Sequence, residues 1–183
     1  MAMSDDEWDK IRAKWATKAL EFKPVTKKDK IFSTDLKRGH DGEHSFFMKY
    51  QHCITRLDGR NADFEINKTA ETIELKTDYF DHDKTPNFFM EKFSYGDNLG
   101  GPWQSLEKGI TYFIYWYPSD GSTYIFNTVQ LVKKLKKLEA NLPMVHVKNK
   151  NYTTKGFKVN RDLLTDICLA PEDICLFEYK GKK

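Results

Sequence analysis

Two short apolar runs in the middle of the chain carry acidic and basic residues whose spacing suits a metal-dependent reaction. Asp63 begins the first run, and the triplet Glu74-Leu75-Lys76 lies inside the second. Because the side chains of a strand alternate between its faces, Glu74 and Lys76 point one way and Leu75 points into the core. If the runs are neighbouring strands, Asp63 lies opposite this pair. Two carboxylates beside a lysine suit a divalent-metal site that activates water, which is the chemistry of phosphodiester cleavage.

The pattern of apolar residues predicts the elements that would hold these runs side by side. Residues 63–67 and 71–78 are predicted strands of one hairpin that turns through 68–70. The other predicted strands are 87–93, 111–117, 122–127 and an edge strand at 157–159. The predicted helices are 5–21, 34–51 with a break near Gly39 and Gly42, 105–108 and 128–140, and a basic connector is predicted at 25–32. This order predicts an α/β fold with a mixed central sheet and helices on both faces.

Two elements make specific predictions about burial. Helix 128–140 is predicted to bury one apolar face, which comprises Val129, Val132, Leu135 and Leu138. Alternation along the aromatic strand 111–117 predicts that one set of rings is buried and that the other faces outward. Outward rings could stack on bases, but a core strand is the commoner reason for such a sequence.

Composition narrows the class of protein. The chain has 183 residues, of which 39% are hydrophobic and 31% charged, so we expect one globular domain over 1–183. No apolar run is long enough to span a bilayer, and the N-terminus lacks an apolar signal-peptide core. We therefore expect a cytoplasmic protein without membrane contact. The three cysteines lack paired spacing, which argues against a disulfide framework and a structural zinc site.

The net charge of +3 is small, but its distribution is uneven. Acidic residues concentrate in 58–91, around the predicted metal site, and lysines cluster at 23–30, 133–137, 148–158 and the C-terminus. An acidic centre with basic flanks suits an enzyme that grips a phosphate backbone, whereas ordinary solvated faces would produce the same lysine runs. The acids of 78–83 with His82 are expected to form a solvated loop rather than a second metal site.

Asp63, Glu74 and Lys76 at this spacing resemble the PD-(D/E)XK nuclease superfamily, whose fold is shared with restriction endonucleases and Holliday-junction resolvases. Residues 39–50 resemble its first core helix, in which a glutamate often faces the metal. Residues 85–91 and 100–115 resemble the strand, helix and strand that follow Glu-x-Lys in a phage-associated branch. The resemblance covers about 34–140, so 5–21 and 141–183 are additions. Pro86 and the pair Trp103-Gln104 depart from the pattern of that branch.

The resemblance implies a restriction-endonuclease-like fold and a Mg²⁺-dependent nuclease, with Mn²⁺ as a substitute metal. Asp63, Glu74 and the backbone carbonyl of Leu75 would bind the metal, and Glu43 would reach it through a water molecule. Lys76 would orient or deprotonate the attacking water, and deprotonation requires that burial lower its pKa. The residues expected to support the site are Asn87, Glu91, Gln104 and Ser105. Candidates for contact with nucleic acid are Trp103, Lys37, Arg38, Arg60 and Lys108.

The resemblance implies an endonuclease of viral or mobile-element origin, which we expect to act on DNA rather than RNA in the host cytoplasm. One alternative is a structure-selective nuclease of recombination or repair, which would often be a homodimer because two cuts need two sites. Another alternative is a catalytically idle nucleic-acid-binding or assembly protein of the same fold. Because the net charge is small, a protein with no nucleic-acid role is the third alternative.

Overall fold

A computed structural model of the chain describes residues 27–57, 61–80, 82–149 and 152–178. Side chains are described from Lys37 onward, with the exception of Arg38, and the predicted helix 5–21 lies outside this part. The chain divides into two units after Asp41, and the account below concerns the unit that begins at Gly42. A single domain over 1–183 stays a prediction.

The helices and strands follow one another in a mixed order. The helices are α1 (Lys27–Tyr50), α2 (Gly101–Glu107) and α3 (Thr128–Leu138), and short 3₁₀ helices span Glu139–Asn141, Arg161–Ile167 and Pro171–Ile174. The strands are β1 (Ile54–Arg56), β2 (Phe64–Ile66), β3 (Thr72–Thr77), β4 (Asn87–Tyr95), β5 (Asn98–Leu99), β6 (Tyr112–Tyr117), β7 (Ser122–Asn127), β8 (Met144–Lys148), β9 (Thr153–Asn160) and β10 (Cys168–Leu169).

Six strands form the first sheet, in the order β1-β2-β3-β6-β7-β10. Strands β1 to β3 form an antiparallel meander, and β3 then pairs in parallel with β6, so that Glu74 lies beside Phe113. Because parallel neighbours cannot be joined by a tight turn, residues 78–111 form a crossover that contains β4, β5 and α2. The predicted hairpin at 63–78 and the pairing of 111–117 with 122–127 are confirmed.

Four antiparallel strands form the second sheet, in the order β5-β4-β9-β8. Strand β9 lies between β4 and β8, so the prediction of an edge strand at 157–159 is wrong. The single predicted sheet is corrected to two, and β1 and β8 were not predicted. The mixed α/β class is confirmed.

Helix α1 runs to Tyr50 without the predicted break, and the connector predicted at 25–32 is helical from Lys27. Gly42 is buried because α1 passes directly over the end of β3, where a Cβ on this residue would overlap the side chain of Thr77. Phe46 and Tyr50, which follow on the same face of the helix, are fully buried. The glycine therefore permits close packing of helix on strand, and this contact outweighs the low helix propensity of glycine.

Two apolar cores lie on the two faces of the first sheet. Tyr112, Ile114 and Trp116 of β6 enter the core shared with α1, and Phe113, Tyr115 and Tyr117 enter the core shared with β4, β9, α2 and α3. All six residues of β6 are buried. The expectation that one set of rings faces outward is therefore wrong, because both faces of the strand are covered.

The two later helices differ in detail from their predictions. Helix α3 starts at Thr128, where the Asn127 side chain accepts a hydrogen bond from the Gln130 N–H at 3.2 Å. Val129 is 60% exposed and Leu131 is buried, so the apolar face is rotated from the predicted one. Helix α2 starts at Gly101, four residues before the predicted start.

A tyrosine connects the two sheets. The Tyr115 hydroxyl donates to the Phe89 carbonyl at 2.6 Å and accepts from the Phe89 N–H at 3.1 Å. A buried hydroxyl that uses both its donor and an acceptor site fixes its partner firmly. Strand β4 is therefore held against β6 at a defined position.

Three smaller predictions have outcomes in the described residues. No helix in this part of the chain is long and apolar enough to cross a membrane. Cys53, Cys168 and Cys175 are free. The loop 78–83 is not fully solvated, because the His82 ring lies 2.7 Å from the Tyr124 hydroxyl and 3.0 Å from the Asp120 carboxylate. Asp81 lies outside the described residues.

Candidate functional site

The β2–β3 hairpin brings the two predicted carboxylates together. Phe64 pairs with Ile73; Asp63 precedes the one and Glu74 follows the other, and the charge of Asp63 acts on Glu74. The Asp63 N–H donates to the Ile73 carbonyl at 3.0 Å, and the Leu75 N–H donates to the Asp63 carboxylate at 2.7 Å. These two bonds lie on either side of Glu74 and fix the register of the pair. Sequence spacing alone predicted this juxtaposition, and the geometry confirms it.

Burial and the charges of neighbouring carboxylates raise the pKa of both carboxyl groups. Burial raises the pKa of Asp63 from 3.8 to about 6, and the charge of Glu43 adds to this rise while the Leu75 N–H and Lys108 oppose it. Burial likewise raises the pKa of Glu74 from 4.5 to about 7, and the charges of Asp63 and Glu43 add to it while Lys108 and Lys76 oppose it. A cation placed between the two carboxylates would favour their charged forms.

A cavity of about 190 Å³ opens beside this pair. It is lined by Glu74, Leu75, Lys76, Phe89, Glu91, Ser94, Gly100, Gly101, Gln104 and Phe113. The Leu75 side chain packs into the core on the other face of the sheet, so its backbone is what borders the cavity. The walls therefore combine two glutamates, one lysine, one amide and two phenyl rings.

Glu91 on β4 completes the acidic wall of the cavity. Burial raises its pKa, and the charge of Lys76 opposes that rise, which places the lysine near both glutamates. Gly100 and Gly101 pack directly on Glu91: a Cβ on Gly100 would lie 2.6 Å from Oε1 of Glu91, and a Cβ on Gly101 would lie 2.7 Å from the Glu91 carbonyl oxygen. Gly101 also has φ +46°, a conformation that favours glycine. The absence of side chains at Gly100 and Gly101 thus leaves the space that Glu91 occupies.

Lys76 is exposed and lines the cavity next to Glu74. Whether it orients the attacking water or deprotonates it stays a prediction. Glu43 is partly buried within α1, and its charge acts on both Asp63 and Glu74.

The structure separates the other predicted site residues. Gln104 lines the cavity, but Ser105 is buried and its hydroxyl donates to the Gly101 carbonyl at 3.0 Å, which is a bond within α2. Asn87 is not among the residues that line the cavity. Trp103 is 5% exposed and packs in the second core near Phe157, so its predicted contact with nucleic acid is wrong.

The predicted basic contacts have mixed outcomes. Lys108 is exposed at the end of α2, and its charge lowers the pKa of both Asp63 and Glu74. Lys37 is exposed on α1, in the unit before Gly42. Arg60 and the side chain of Arg38 lie outside the described part. Sequence reasoning missed Phe89, Ser94 and Phe113 as cavity residues. The alternation of β4, with Phe89 two positions before Glu91, was the available signal for Phe89.

Asp63 and Glu74 are candidate ligands for a metal ion that keeps several of its waters. In the described residues, no group of three or more His, Cys, Asp or Glu side chains could hold a metal ion. Magnesium is commonly bound through one or two carboxylates and keeps several waters. Asp63 and Glu74 meet this requirement, and the Leu75 backbone borders the same space.

Comparison of the chain with protein-family models, curated proteins and solved structures found no match.

Proposed function

We propose that this protein is a Mg²⁺-dependent nuclease that hydrolyses phosphodiester bonds in DNA. The observation that carries the proposal is the hairpin that brings Asp63 close to Glu74, which lines an open cavity together with Lys76. Two carboxylates with raised pKa values and an exposed ammonium suit a divalent cation and a phosphate.

The order of elements supports the finer fold assignment. A helix, an antiparallel three-stranded meander, a crossover that ends in a helix, and a strand parallel to β3 follow one another as α1, β1–β3, α2 and β6. This order fits the restriction-endonuclease-like core implied by the Glu-x-Lys resemblance. The second sheet would be an addition to that core, since β4 and β5 lie in the crossover and β8 and β9 lie beyond residue 140.

Each side chain of the site has a chemical role in this proposal. Asp63 and Glu74 would hold Mg²⁺ with the Leu75 carbonyl, and the bound metal would polarise the phosphate and lower the pKa of the attacking water. Lys76 orients that water or offsets charge that develops on the phosphate. Glu91 and Gln104 also line the cavity, where they can accept or donate hydrogen bonds. Glu43 adds negative charge beside the two ligands.

The test is a cleavage assay on supercoiled plasmid, linear duplex, single-stranded DNA, a four-way junction and RNA, with Mg²⁺, Mn²⁺ or EDTA. We expect DNA to be cut in either metal and not in EDTA. Glu74→Gln should lower the rate by more than about a hundredfold, since a metal ligand is lost. The matched control is Glu107→Gln, which makes the same change at an exposed position of α2 and should leave the rate unchanged.

The substrate panel also separates the related functions. Preference for the junction would identify a structure-selective nuclease, and a two-site reaction of that kind predicts a homodimer in solution. Cutting of RNA alone would contradict DNA as the substrate. Binding without cleavage of any substrate, by a protein whose folding is verified by circular dichroism, would identify a catalytically idle binding protein and overturn the proposed activity.

A further inference from the structure

We propose that Lys158, on the second sheet, binds the DNA phosphate next to the one that lies in the cavity. This inference rests on the proposed function and adds a substrate contact outside the segment that resembles known nucleases. Its basis is the register of β4 and β9, which places the lysine on the same face of the sheet as the cavity wall.

The register defines that face. Phe89 pairs with Lys158, and Glu91 pairs with Gly156. Residues directly opposite in an antiparallel pair project to the same side, and so do residues two apart in one strand. Phe89 and Glu91 line the cavity, so Lys158 stands on the cavity face beside Phe89. Gly156 and Lys158 are two residues apart, which is about 7 Å along an extended strand.

Close packing of the strands makes this position well defined. A Cβ on Gly156 would overlap the Met90 carbonyl oxygen and would lie 2.9 Å from the Glu91 Cα. Glycine therefore lets β9 approach β4 at the level of Glu91. The two Tyr115 hydrogen bonds hold β4 at Phe89, directly beside Lys158. The lysine thus projects from backbone that is fixed relative to the cavity.

The electrostatic setting of Lys158 favours an anionic partner. The segment 144–160, which includes β8 and β9, contains four lysines and no acidic residue. Lys158 is exposed, and none of the ion pairs found among the described residues involves it. A solvated ammonium near an open cavity can neutralise a phosphate and release its counterions.

Lys155 on the same strand provides the contrast. It lies one position away from Gly156, so it projects to the other face of the sheet. Its ammonium is 3.4 Å from the Asp97 carboxylate and 5.7 Å from the centre of the Phe93 ring. The charge of Lys155 is therefore already engaged within the protein, whereas that of Lys158 is available on the cavity face.

The experiment measures binding separately from cleavage. Full-length protein carrying Glu74→Gln would be titrated against a labelled 20-base-pair duplex by fluorescence anisotropy, from 50 to 300 mM salt in Mg²⁺. Adding Lys158→Gln should weaken binding roughly five- to tenfold near 0.1 M salt. It should also reduce the salt slope, which is the slope of the logarithm of the binding constant against the logarithm of the salt concentration, by about the amount that one phosphate contact contributes. Adding Lys155→Gln instead should change both quantities much less.

Two results would overturn the assignment of Lys158. One is an unchanged slope and affinity in the Lys158→Gln protein, and the other is an equal loss in the Lys155→Gln protein, which would indicate general charge attraction. Lysines on exposed β-strands also serve to prevent aggregation, and a change in solubility without a change in slope would indicate that role. Plasmid cleavage by the protein that keeps Glu74 tests the proposed function independently. If the salt slope depends on Lys158 but no cleavage is seen, the nuclease proposal is wrong and the Lys158 contact with DNA stands.

Discussion

The carboxylate of Asp63 accepts a hydrogen bond from the backbone N–H of Leu75, across the β2–β3 hairpin, at 2.7 Å. Leu75 separates Glu74 from Lys76, so this bond fixes the strand that carries both side chains. Asp63 therefore has a structural duty and, in the proposed function, a chemical one. The two duties depend on different properties of the side chain, because the structural bond needs an acceptor oxygen and metal binding needs a charge.

Substitutions at Asp63 should separate these duties. Asp63→Asn keeps an acceptor for the Leu75 N–H, so we expect a stable fold whose metal-dependent cleavage falls by more than about a hundredfold. Asp63→Ala leaves that partly buried N–H without its partner and should lower the free energy of unfolding by about 1–3 kcal/mol. Urea denaturation at pH 7 and plasmid cleavage measure the two effects. Equal stability of the two variants would show that the bond does not hold the hairpin.

The raised pKa values predict how stability changes with pH in the absence of metal. Between pH 4.5 and about 7, the unfolded chain releases the Glu74 proton while the folded protein retains it. The contribution of Glu74 is thus fully present below pH 4.5 and is lost as pH rises through about 7. The stabilising contribution of Asp63 is lost in the same way, as the pH rises from 3.8 through about 6. We expect Glu74→Gln to be more stable than wild type at pH 8 in EDTA, by up to about 3 kcal/mol.

Urea denaturation at pH 5 and pH 8 in EDTA checks this prediction. Wild type should lose stability between these values more steeply than Glu74→Gln does, and Mg²⁺ should stabilise wild type mainly at pH 8. Identical pH profiles for the two proteins would show that Glu74 ionises as it does in the unfolded chain.

The two glycines that pack on Glu91 should respond differently to alanine. Gly101→Ala forces a Cβ against the Glu91 carbonyl at a positive φ, so it should cost about 1–3 kcal/mol of stability. Gly100→Ala meets mainly the end of the flexible Glu91 side chain, so it should cost less than about 1 kcal/mol and reduce cleavage by moving that carboxylate. In a Glu91→Ala background the effect of Gly100→Ala on cleavage should disappear. Persistence of the effect there would mean that Gly100 acts through another contact.

Tyr115→Phe should loosen the connection between the sheets. It removes both hydrogen bonds to Phe89, one to the N–H and one to the carbonyl, and we expect a loss of about 2 kcal/mol in the free energy of unfolding. Cleavage should also fall, since Phe89 and Glu91 line the cavity. The control is Tyr112→Phe on the same strand, which removes the single hydrogen bond from this hydroxyl to the Glu71 carboxylate at 3.2 Å and should cost about half as much, about 1 kcal/mol. A control that is as destabilising as Tyr115→Phe would contradict the special role of Phe89.

The sequence was most informative where structure is local. The β2–β3 hairpin has alternating apolar residues and a short turn, so Asp63 and Glu74 could be placed opposite each other without knowledge of the rest of the fold. Glu91 was predicted as a site residue from the family resemblance alone, and in the structure it lines the cavity. The role of Trp103 could not be predicted, because a tryptophan beside glycines has the same local sequence whether it faces solvent or fills a core.

The second sheet was missed because its stability comes from distant partners. Strand β9 contains two lysines and a glycine, a composition that suggests an exposed edge, yet it pairs with β4 on one side and β8 on the other. A distant contact also acts at Gly42 of α1, where the helix packs closely on Thr77 of β3. Secondary-structure propensity depends on the local segment alone, whereas the conformation at these positions depends on the distant residues that pack against them.

The parallel pairing of β3 with β6 has a consequence for the order in which the molecule forms. Residues 78–111 must be synthesised before the strand that supports Glu74 and Lys76 gains its second neighbour. Contacts over such a separation are slow to close, so a nascent chain that ends before Tyr117 would hold the carboxylates on an unsupported hairpin. Synthesis itself thus delays assembly of the site until residues 112–117 have left the ribosome.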